Sequence, residues 1–157
     1  MVTVKELMNT DIYSIRAREK VRDLLNIFVD KQVSGVPVVD DDNILVGIIT
    51  DADILAEIRE VPSLIDVMTY VIVLNAEAIF LEKMYALLER PVHELMTKKV
   101  VSVTENATIS DVAQILIRRK FKKLPVVKGK KLIGVVSRGD VVRYMVREFL
   151  SKNKAGI

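Results

Sequence analysis

The sequence contains one pattern twice, and this internal repeat constrains the fold more than any other feature. Each copy has an apolar stretch with a proline, a turn, a second apolar stretch, and then a hydroxyl residue three places before an aspartate. The first copy runs from Val36-Pro37-Val38-Val39 to Thr50-x-x-Asp53, and the second runs from Leu124-Pro125-Val126-Val127 to Ser137-x-x-Asp140. The repeat predicts two related units with one architecture.

Further matches between the two copies define where each begins and ends in the chain of 157 residues. An offset of 88 residues aligns the copies up to the turn, and one deletion there reduces the offset to 87. We predict repeat one over residues 1–58, a connector over 59–90, repeat two over 91–150 and a basic C-terminal tail over 151–157. The aligned residues include Glu6-Leu7-Met8 with Glu94-Leu95-Met96, Ser14 with Ser102, and Gly47 with Gly134.

Apolar spacing predicts the order β-α-β-β-α in each copy, which is an α/β (α+β) fold. The first two strands flank a helix and are expected to be parallel, and the next two are expected to form a hairpin. A unit of about 54 residues buries little surface alone, so we expect the copies to pack together with pseudo-two-fold symmetry, leaving two related clefts. Strands are predicted at 12–15, 36–39, 45–49, 100–103, 124–127 and 132–136, and helices at 19–31, 52–58, 109–120 and 139–150, with capping boxes at Thr3-x-x-Glu6 and Thr108-x-x-Asp111.

The connector is apolar and has two interpretations. Residues 68–74 are predicted to be strand-like, and residues 76–89 are predicted to be a helix whose apolar side includes Ile79, Met84, Leu87 and Leu88. This helix could cover the core of the repeats. It could also form a surface for a partner or a second copy, because so much apolar material lies outside the repeat.

The composition argues against an enzyme. The chain has no cysteine and one histidine, His93, so neither a disulfide nor a zinc site is expected. No Ser/His/Asp set, P-loop or Gly-x-Gly-x-x-Gly pattern occurs. The acidic run at 40–42 is interpreted as a solvated turn, since the other ligands of a calcium loop are missing. We expect no catalytic residue and no metal.

The chain is expected to be a cytoplasmic protein that does not enter a membrane. Charged residues follow Met1 at once, so no signal peptide is expected. No apolar run approaches the roughly 20 residues of a membrane span. The absence of cysteine suits a reducing compartment.

The charge is distributed unevenly along the chain. Residues 1–58 carry 6 Lys and Arg against 11 Asp and Glu, a net charge of −5, whereas residues 92–157 carry 15 against 5, a net charge of +10. A basic half attracts phosphates, nucleic acid or acidic partners. A nucleic-acid-binding module therefore stays open as an alternative, although aromatic residues are sparse in this half.

The hydroxyl-x-x-aspartate motif also has two interpretations. Thr50 and Ser137 could cap the following helix, with Asp53 and Asp140 completing a capping box. The same geometry could serve a ligand, because an aspartate in the first turn of a helix offers two acceptor oxygens to neighbouring hydroxyls. Free amides at the helix start could then hold a phosphate. The two roles are compatible, and the repetition of the motif favours a ligand.

These motifs together resemble the cystathionine-beta-synthase (CBS) domain, and two in tandem resemble a CBS pair, or Bateman module. The resemblance covers residues 3–58 and 91–148 and predicts a stand-alone pair that regulates by binding AMP, ADP, ATP or S-adenosylmethionine. In this family the motif aspartate holds ribose hydroxyls. The resemblance implies these ligand-binding residues: Thr50, Asp53, Ser14, Gly35, Val36 and Pro37 in repeat one, and Ser137, Asp140, Ser102, Lys122, Lys123, Leu124, Pro125 and Arg138 in repeat two.

The two copies differ where a phosphate would lie. Repeat two has Lys122 and Lys123 where repeat one has Ser34 and Gly35, and it has Arg138 where repeat one has Asp51. The second site should therefore bind a phosphorylated ligand better, most strongly at low salt. The alternative is that the two lysines belong to a solvated face.

The sequence therefore predicts a ligand sensor that forms a homodimer, as CBS pairs commonly do. The ligand would signal to an unknown protein partner by favouring one of two arrangements. Besides nucleic-acid binding, a structural dimerisation scaffold with vestigial sites remains a further alternative.

Overall fold

A computed structural model describes residues 1–59 and 69–154. Within these residues the chain has six strands, five α-helices and two short 3-10 turns. The strands are β1 (Ile15–Arg16), β2 (Gly35–Val39), β3 (Leu45–Thr50), β4 (Val103–Thr104), β5 (Lys123–Lys128) and β6 (Lys131–Ser137). The helices are α1 (Val21–Lys31), α2 (Asp51–Arg59), α3 (Thr69–Leu88), α4 (Ile109–Arg119) and α5 (Arg138–Lys154), and the 3-10 turns are Val4–Glu6 and Val92–Glu94.

The strands form two three-stranded sheets, in the orders β1-β2-β3 and β4-β5-β6. In both sheets the first strand pairs in parallel with the second, and a helix connects the two strands along the chain. Strand β5 pairs antiparallel with β6. The predicted β-α-β-β-α order and the mixed α/β fold class are confirmed. No helix in the described residues combines the length and the apolarity that crossing a bilayer requires.

Three predicted elements are wrong in extent or type. The strands predicted at 12–15 and 100–103 are only two residues long and begin at Ile15 and Val103, because only these ends pair with the next strand. The strand-like stretch predicted at 68–74 is helical from Thr69 onward, as part of α3. A short apolar run rich in β-branched residues fits either type, and here it continues into good helix formers. Residue 68 lies outside the described residues.

The structure divides into two compact units, whose limits cross those of the repeats. One unit, the β4–β6 unit, contains residues 1–12, 42–45 and 100–157, and the other, the β1–β3 unit, contains residues 13–41 and 46–99. The turn at 42–45 takes part in this crossing, since Leu132 N–H donates to the carbonyl of Asn43 at 3.1 Å, and the segments that contain the two 3-10 turns account for the rest. Val4 is fully buried in the core of the β4–β6 unit, and Val92 is fully buried in that of the β1–β3 unit. The opening segment of each repeat therefore completes the core that contains the other repeat's sheet.

Backbone hydrogen bonds fix these opening segments in place. Val4 N–H donates to the carbonyl of Ala107 at 2.9 Å in the β4–β6 unit. Val92 N–H donates to the carbonyl of Glu19 at 2.8 Å in the β1–β3 unit, and His93 N–H donates to that of Ala17 at 3.0 Å. His93 itself is exposed. These bonds satisfy buried backbone groups that the short turns would otherwise leave unpaired.

Two glycines explain why each repeat contains both a Glu-Leu-Met sequence and a glycine in its last strand. Gly134 lies in β6, where a Cβ atom would come 2.8 Å from Sδ of Met8 and 3.1 Å from the carbonyl oxygen of Asn9. In the other unit, a Cβ on Gly47 of β3 would come 2.5 Å from Sδ of Met96. Each methionine thus packs directly onto a strand backbone that only glycine leaves open.

Helix α3, which lies in the connector, contributes to the core through its own C-terminal end. Leu87 is buried in the β1–β3 unit, whereas Phe80, Leu81 and Tyr85 are exposed. The end of α3 therefore covers the core, as one interpretation of the connector predicts. The side chains of residues 69–77 and 79 lie outside the description.

We expect Gly134→Ala to lower the free energy of unfolding by about 1–3 kcal/mol, because the added methyl group overpacks the contact with Met8. Denaturant unfolding of Gly134→Ala, Met8→Ala and the double variant measures the coupling. The loss should be smaller in the Met8→Ala background, where the methyl group finds room. Lys131→Ala, at an exposed position of the same strand, is the control. Strictly additive losses would contradict this explanation of the glycine.

Candidate functional site

The hydroxyl-x-x-aspartate motif lies at a strand-to-helix junction in both units. Thr50 is the last residue of β3 and Ser137 is the last residue of β6. Asp53 and Asp140 lie in the first turns of α2 and α5, and both are half-buried. Each carboxylate therefore lies at the positive end of a helix dipole, which stabilises its charge.

Short hydrogen bonds hold the Asp140 carboxylate in place. Its Oδ2 accepts from the backbone N–H of Ser137 at 2.7 Å and from Oγ of Ser137 at 2.7 Å. The backbone N–H of Asp140 donates to Oγ of Ser137 at 3.1 Å. Its other oxygen, Oδ1, accepts from Nη2 of Arg143 at 2.6 Å. Both oxygens thus have partners in this structure.

The Asp53 carboxylate is held by one oxygen. Its Oδ2 accepts from the backbone N–H of Thr50 at 2.8 Å and from Oγ1 of Thr50 at 3.3 Å. No residue in the described part of the chain donates to its Oδ1. Capping bonds thus occur in both units, and in the β1–β3 unit they leave one oxygen for another donor.

The pKa of Asp140 lies below the ordinary value for an aspartate. Burial acts to raise this pKa, but the hydrogen bonds from the Ser137 hydroxyl and amide and the charge of Arg143 outweigh it. Asp140 is therefore ionised at neutral pH and acts as an acceptor. Because its folded-state pKa is lowered, its stabilisation is present above the ordinary pKa and is lost as the pH falls through the lowered one.

The residues before hydrophobic-Pro-Val lie beside the motif in both units. In the β4–β6 unit, Lys123 pairs with Ser137 across the sheet, and Arg138 N–H donates to the carbonyl of Lys122 at 3.1 Å. The side chains of Lys122, Lys123 and Arg138 are exposed. The structure therefore brings the backbones of these three predicted cations to the start of α5.

The β1–β3 unit has the same arrangement without the cations. Asp51 N–H donates to the carbonyl of Ser34 at 2.8 Å. A Cβ atom on Gly35 would come 3.0 Å from Cγ2 of Thr50. Asp51, an exposed carboxylate, stands where the other unit has Arg138. The two motifs thus share backbone geometry and differ in charge.

The remaining predicted residues are less available to a ligand through their side chains. Val36, Pro37, Leu124 and Pro125 are buried, so their backbone atoms are the groups that a ligand could contact. Ser14 and Ser102 are half-buried and directly precede β1 and β4. Among the described hydrogen bonds, neither serine reaches the motif of its unit.

Arg143 is the residue that sequence reasoning missed. It is paired with Asp140, and its side chain is 62% exposed, against 21% for that of Asp140. The signal was present in the sequence, because residues three apart on a helix are neighbours. In repeat one, the residue aligned with Arg143 is Ala56, which carries no charge.

The site offers an acceptor carboxylate, hydroxyls and, in one unit, exposed cations. Within residues 1–59 and 69–154, no group of three or more His, Asp or Glu side chains could hold a metal ion. In the acidic turn, Asp41 accepts from Nε of Arg18 at 2.8 Å, which makes it part of an ion pair.

Curated relatives of similar length and of greater length match the chain. It is 30% identical over 157 residues to the uncharacterised protein MJ1426 of Methanocaldococcus jannaschii, with 93% of this chain and 92% of the relative covered. It is 33% identical over 141 residues to the chloroplastic CBS domain-containing protein CBSX2 of Arabidopsis thaliana, with 85% of this chain covered. The match spans 58% of the length of CBSX2.

Solved structures have the same fold. The crystal structure of CBSX2 in complex with AMP has a TM-score of 0.70 and 32% identity, covering 92% of this chain and 96% of that chain. The CBS domain pair of MJ0100, in complex with 5′-methylthioadenosine and S-adenosyl-L-methionine, has a TM-score of 0.65 and 21% identity, covering 94% and 98%. At that identity the likeness to MJ0100 concerns the fold alone.

The family model named CBS domain matches the chain twice, at residues 4–60 and 92–147. These segments include both copies of the hydroxyl-x-x-aspartate motif. The chain therefore belongs to the CBS domain family and contains a tandem pair of CBS domains.

Proposed function

We propose that this CBS pair is a regulatory module that binds an adenosine-containing ligand without transforming it, and that AMP is the ligand to test first. One observation carries the proposal. Asp140 is a half-buried carboxylate, held by Ser137 at 2.7 Å, beside the exposed cations Lys122, Lys123 and Arg138. This arrangement suits a ligand with neighbouring hydroxyls at one end and a negative charge at the other.

The chemistry of the site favours a nucleotide over S-adenosylmethionine. The ribose hydroxyls of AMP would donate to the motif aspartate, and its phosphate would lie among the cations at the start of α5. S-adenosylmethionine carries a positive sulfonium, which those cations would repel. CBSX2, 32% identical to this chain, has been crystallised with AMP. ADP and ATP carry longer phosphate chains, which three exposed cations could also accommodate.

The two motifs should bind such a ligand unequally. The β4–β6 unit carries 14 Lys and Arg against 7 Asp and Glu, a net charge of +7, whereas the β1–β3 unit carries 10 against 14, a net charge of −4. Asp51 beside Asp53 adds a local repulsion. We assign the phosphorylated ligand to the Asp140 motif first.

Helix α5 is suited to form a dimer contact with a second copy of the chain. This helix begins at the ligand motif and carries a stripe of apolar side chains at helical spacing. The stripe consists of Val142, Met145, Val146, Phe149 and Leu150, which are 50–67% exposed. Burying it against the same stripe of another copy would give a two-fold symmetric interface with a hydrophobic centre. A ligand at the start of α5 could then signal through this helix to the dimer and to a protein partner.

The cytoplasm remains the proposed location. The chain has no cysteine, which suits a reducing compartment.

Nucleic-acid binding is the second candidate, favoured by the net charge of +7 on the β4–β6 unit. Phe121, 37% exposed, lies between Lys120 and Lys122 and could stack on a base. Binding to single strands or duplex with a steep dependence on salt would support this function. A scaffold with vestigial sites is the third candidate.

We expect isothermal titration to show saturable binding of AMP that Asp140→Ala weakens roughly 10-fold or more and Asp53→Ala weakens less. The loss corresponds to about 1.5–3 kcal/mol for a hydrogen bond to a charged group. Asp111→Ala is a matched control, because Asp111 accepts from Oγ1 of Thr108 at 2.7 Å in an equivalent cap on α4. It should leave AMP affinity unchanged.

No heat and no melting shift with AMP, ATP or S-adenosylmethionine at millimolar concentration would overturn the ligand-sensor proposal. Such a result would favour the nucleic-acid and scaffold functions. Equal losses in Asp140→Ala and Asp111→Ala would show that the cap matters only for stability.

We expect Phe149→Glu to convert a dimer into a monomer, because a charge replaces the largest and most exposed apolar side chain of the stripe. Light scattering coupled to size exclusion measures the mass directly. Arg147→Glu, a charge change on the same helix, is the control and should stay dimeric. A wild-type chain that is monomeric at all accessible concentrations would overturn the dimer.

A further inference from the structure

Arg143 occupies the oxygen of Asp140 that a ligand would need. The Oδ2 atom already accepts two hydrogen bonds from Ser137, and Arg143 Nη2 donates to Oδ1 at 2.6 Å. We infer that Arg143 is a specificity-determining residue of the Asp140 motif: it opposes binding of uncharged nucleosides and is displaced by ligands that carry a phosphate. This inference rests on the proposed function and concerns the selectivity of the same site.

The ribose hydroxyls and Arg143 would compete for the Asp140 carboxylate. Two neighbouring ribose hydroxyls need acceptor positions on the outward side of Asp140, since Ser137 takes the inward side. A carboxylate has about four lone-pair positions, and three hydrogen bonds already occupy this one. A ribose that donates two hydrogen bonds therefore requires Arg143 to leave Oδ1. A ligand that donates two hydrogen bonds to this carboxylate must therefore replace a charge-assisted hydrogen bond.

Once displaced from Asp140, the Arg143 guanidinium needs another anion as its partner. Arg143 lies over the start of α5, where Lys122, Lys123 and Arg138 are also exposed. Without a new anion, the freed charge would remain among like charges. A ligand phosphate supplies the missing anion and can accept a bidentate pair from the guanidinium. A nucleoside without phosphate displaces the same bond and offers no replacement.

Gly139 provides the room that Arg143 needs. A Cβ atom at this position would come 3.0 Å from Nη1 and 3.5 Å from Cζ of Arg143. The aligned residues of the β1–β3 unit are Ala52 and Ala56, so that unit has neither the glycine nor the arginine. The two copies thus differ at both positions together. Asp53, whose motif has no guanidinium, should show little preference for a phosphate.

The affinity ratio of AMP to adenosine tests the inference. Titrations in an Asp53→Ala background report on the Asp140 motif alone. We expect Arg143→Ala to strengthen adenosine binding about 2- to 5-fold, as loss of an exposed ion pair allows, and to weaken AMP binding. The ratio should fall by about 10-fold or more. Arg143→Lys, which keeps the charge, should retain part of the ratio.

Two further variants separate selectivity from stability. Arg147→Ala removes another exposed arginine one turn along α5 and should leave the ratio unchanged. Grafting the pair as Ala52→Gly with Ala56→Arg, in an Asp140→Ala background, should raise the ratio at the Asp53 motif. Melting curves without ligand identify any variant that fails to fold.

Each outcome decides between distinct conclusions. If AMP binds the wild type but the ratio is unchanged in Arg143→Ala, the inference is wrong and the proposed function stands. If Arg143→Ala weakens both ligands equally, Arg143 has a structural role only and the inference is again wrong. If neither ligand binds the folded wild type, the proposed function fails and the inference fails with it.

Discussion

The aspartate in the first turn of α2 and α5 is the constraint on which both candidate sites depend. One of its oxygens accepts from the backbone amide of the hydroxyl residue that ends the strand, at 2.8 Å for Asp53 and 2.7 Å for Asp140. That bond fixes where the strand stops and the helix begins. It also directs the second oxygen away from the cap. Under the proposed function, one carboxylate serves both as part of the helix cap and as an acceptor for the ligand.

The exchange of opening segments links the repeats more closely than their order in the chain suggests. Val4 completes one core and Val92 completes the other. Met8 and Met96 then pack on Gly134 and Gly47, whose strands end at the hydroxyl-x-x-aspartate motifs. The β4–β6 unit therefore depends on a segment at the start of the chain. Each glycine lies three residues before the hydroxyl residue that ends the same strand.

The repeat made most of the fold predictable, because each local pattern could be checked against its copy. It predicted β2, β3, β5 and β6 to within two residues at either end, and the motif residues at the two junctions. It gave no check on α3, which has no counterpart and whose first turns were predicted to be strand-like. It failed for the extents of β1 and β4, whose lengths depend on pairing with another strand. It also failed for the compact units, because tertiary packing decides which core Val4 and Val92 enter. Arg143 could not be assigned to the site from the sequence alone, because helical spacing allows an arginine to reach Asp140 but does not show which partner an exposed arginine takes.

The most direct test of the central claim is a crystal structure of the chain grown with AMP. We expect the ribose hydroxyls within hydrogen-bonding distance of Oδ1 of Asp140 and the phosphate beside Lys122, Lys123 and Arg138. We also expect that Arg143 has left Asp140 and faces the phosphate. AMP bound away from Asp140, or ribose contacts with the Arg143–Asp140 pair still intact, would show that the proposed site is wrong.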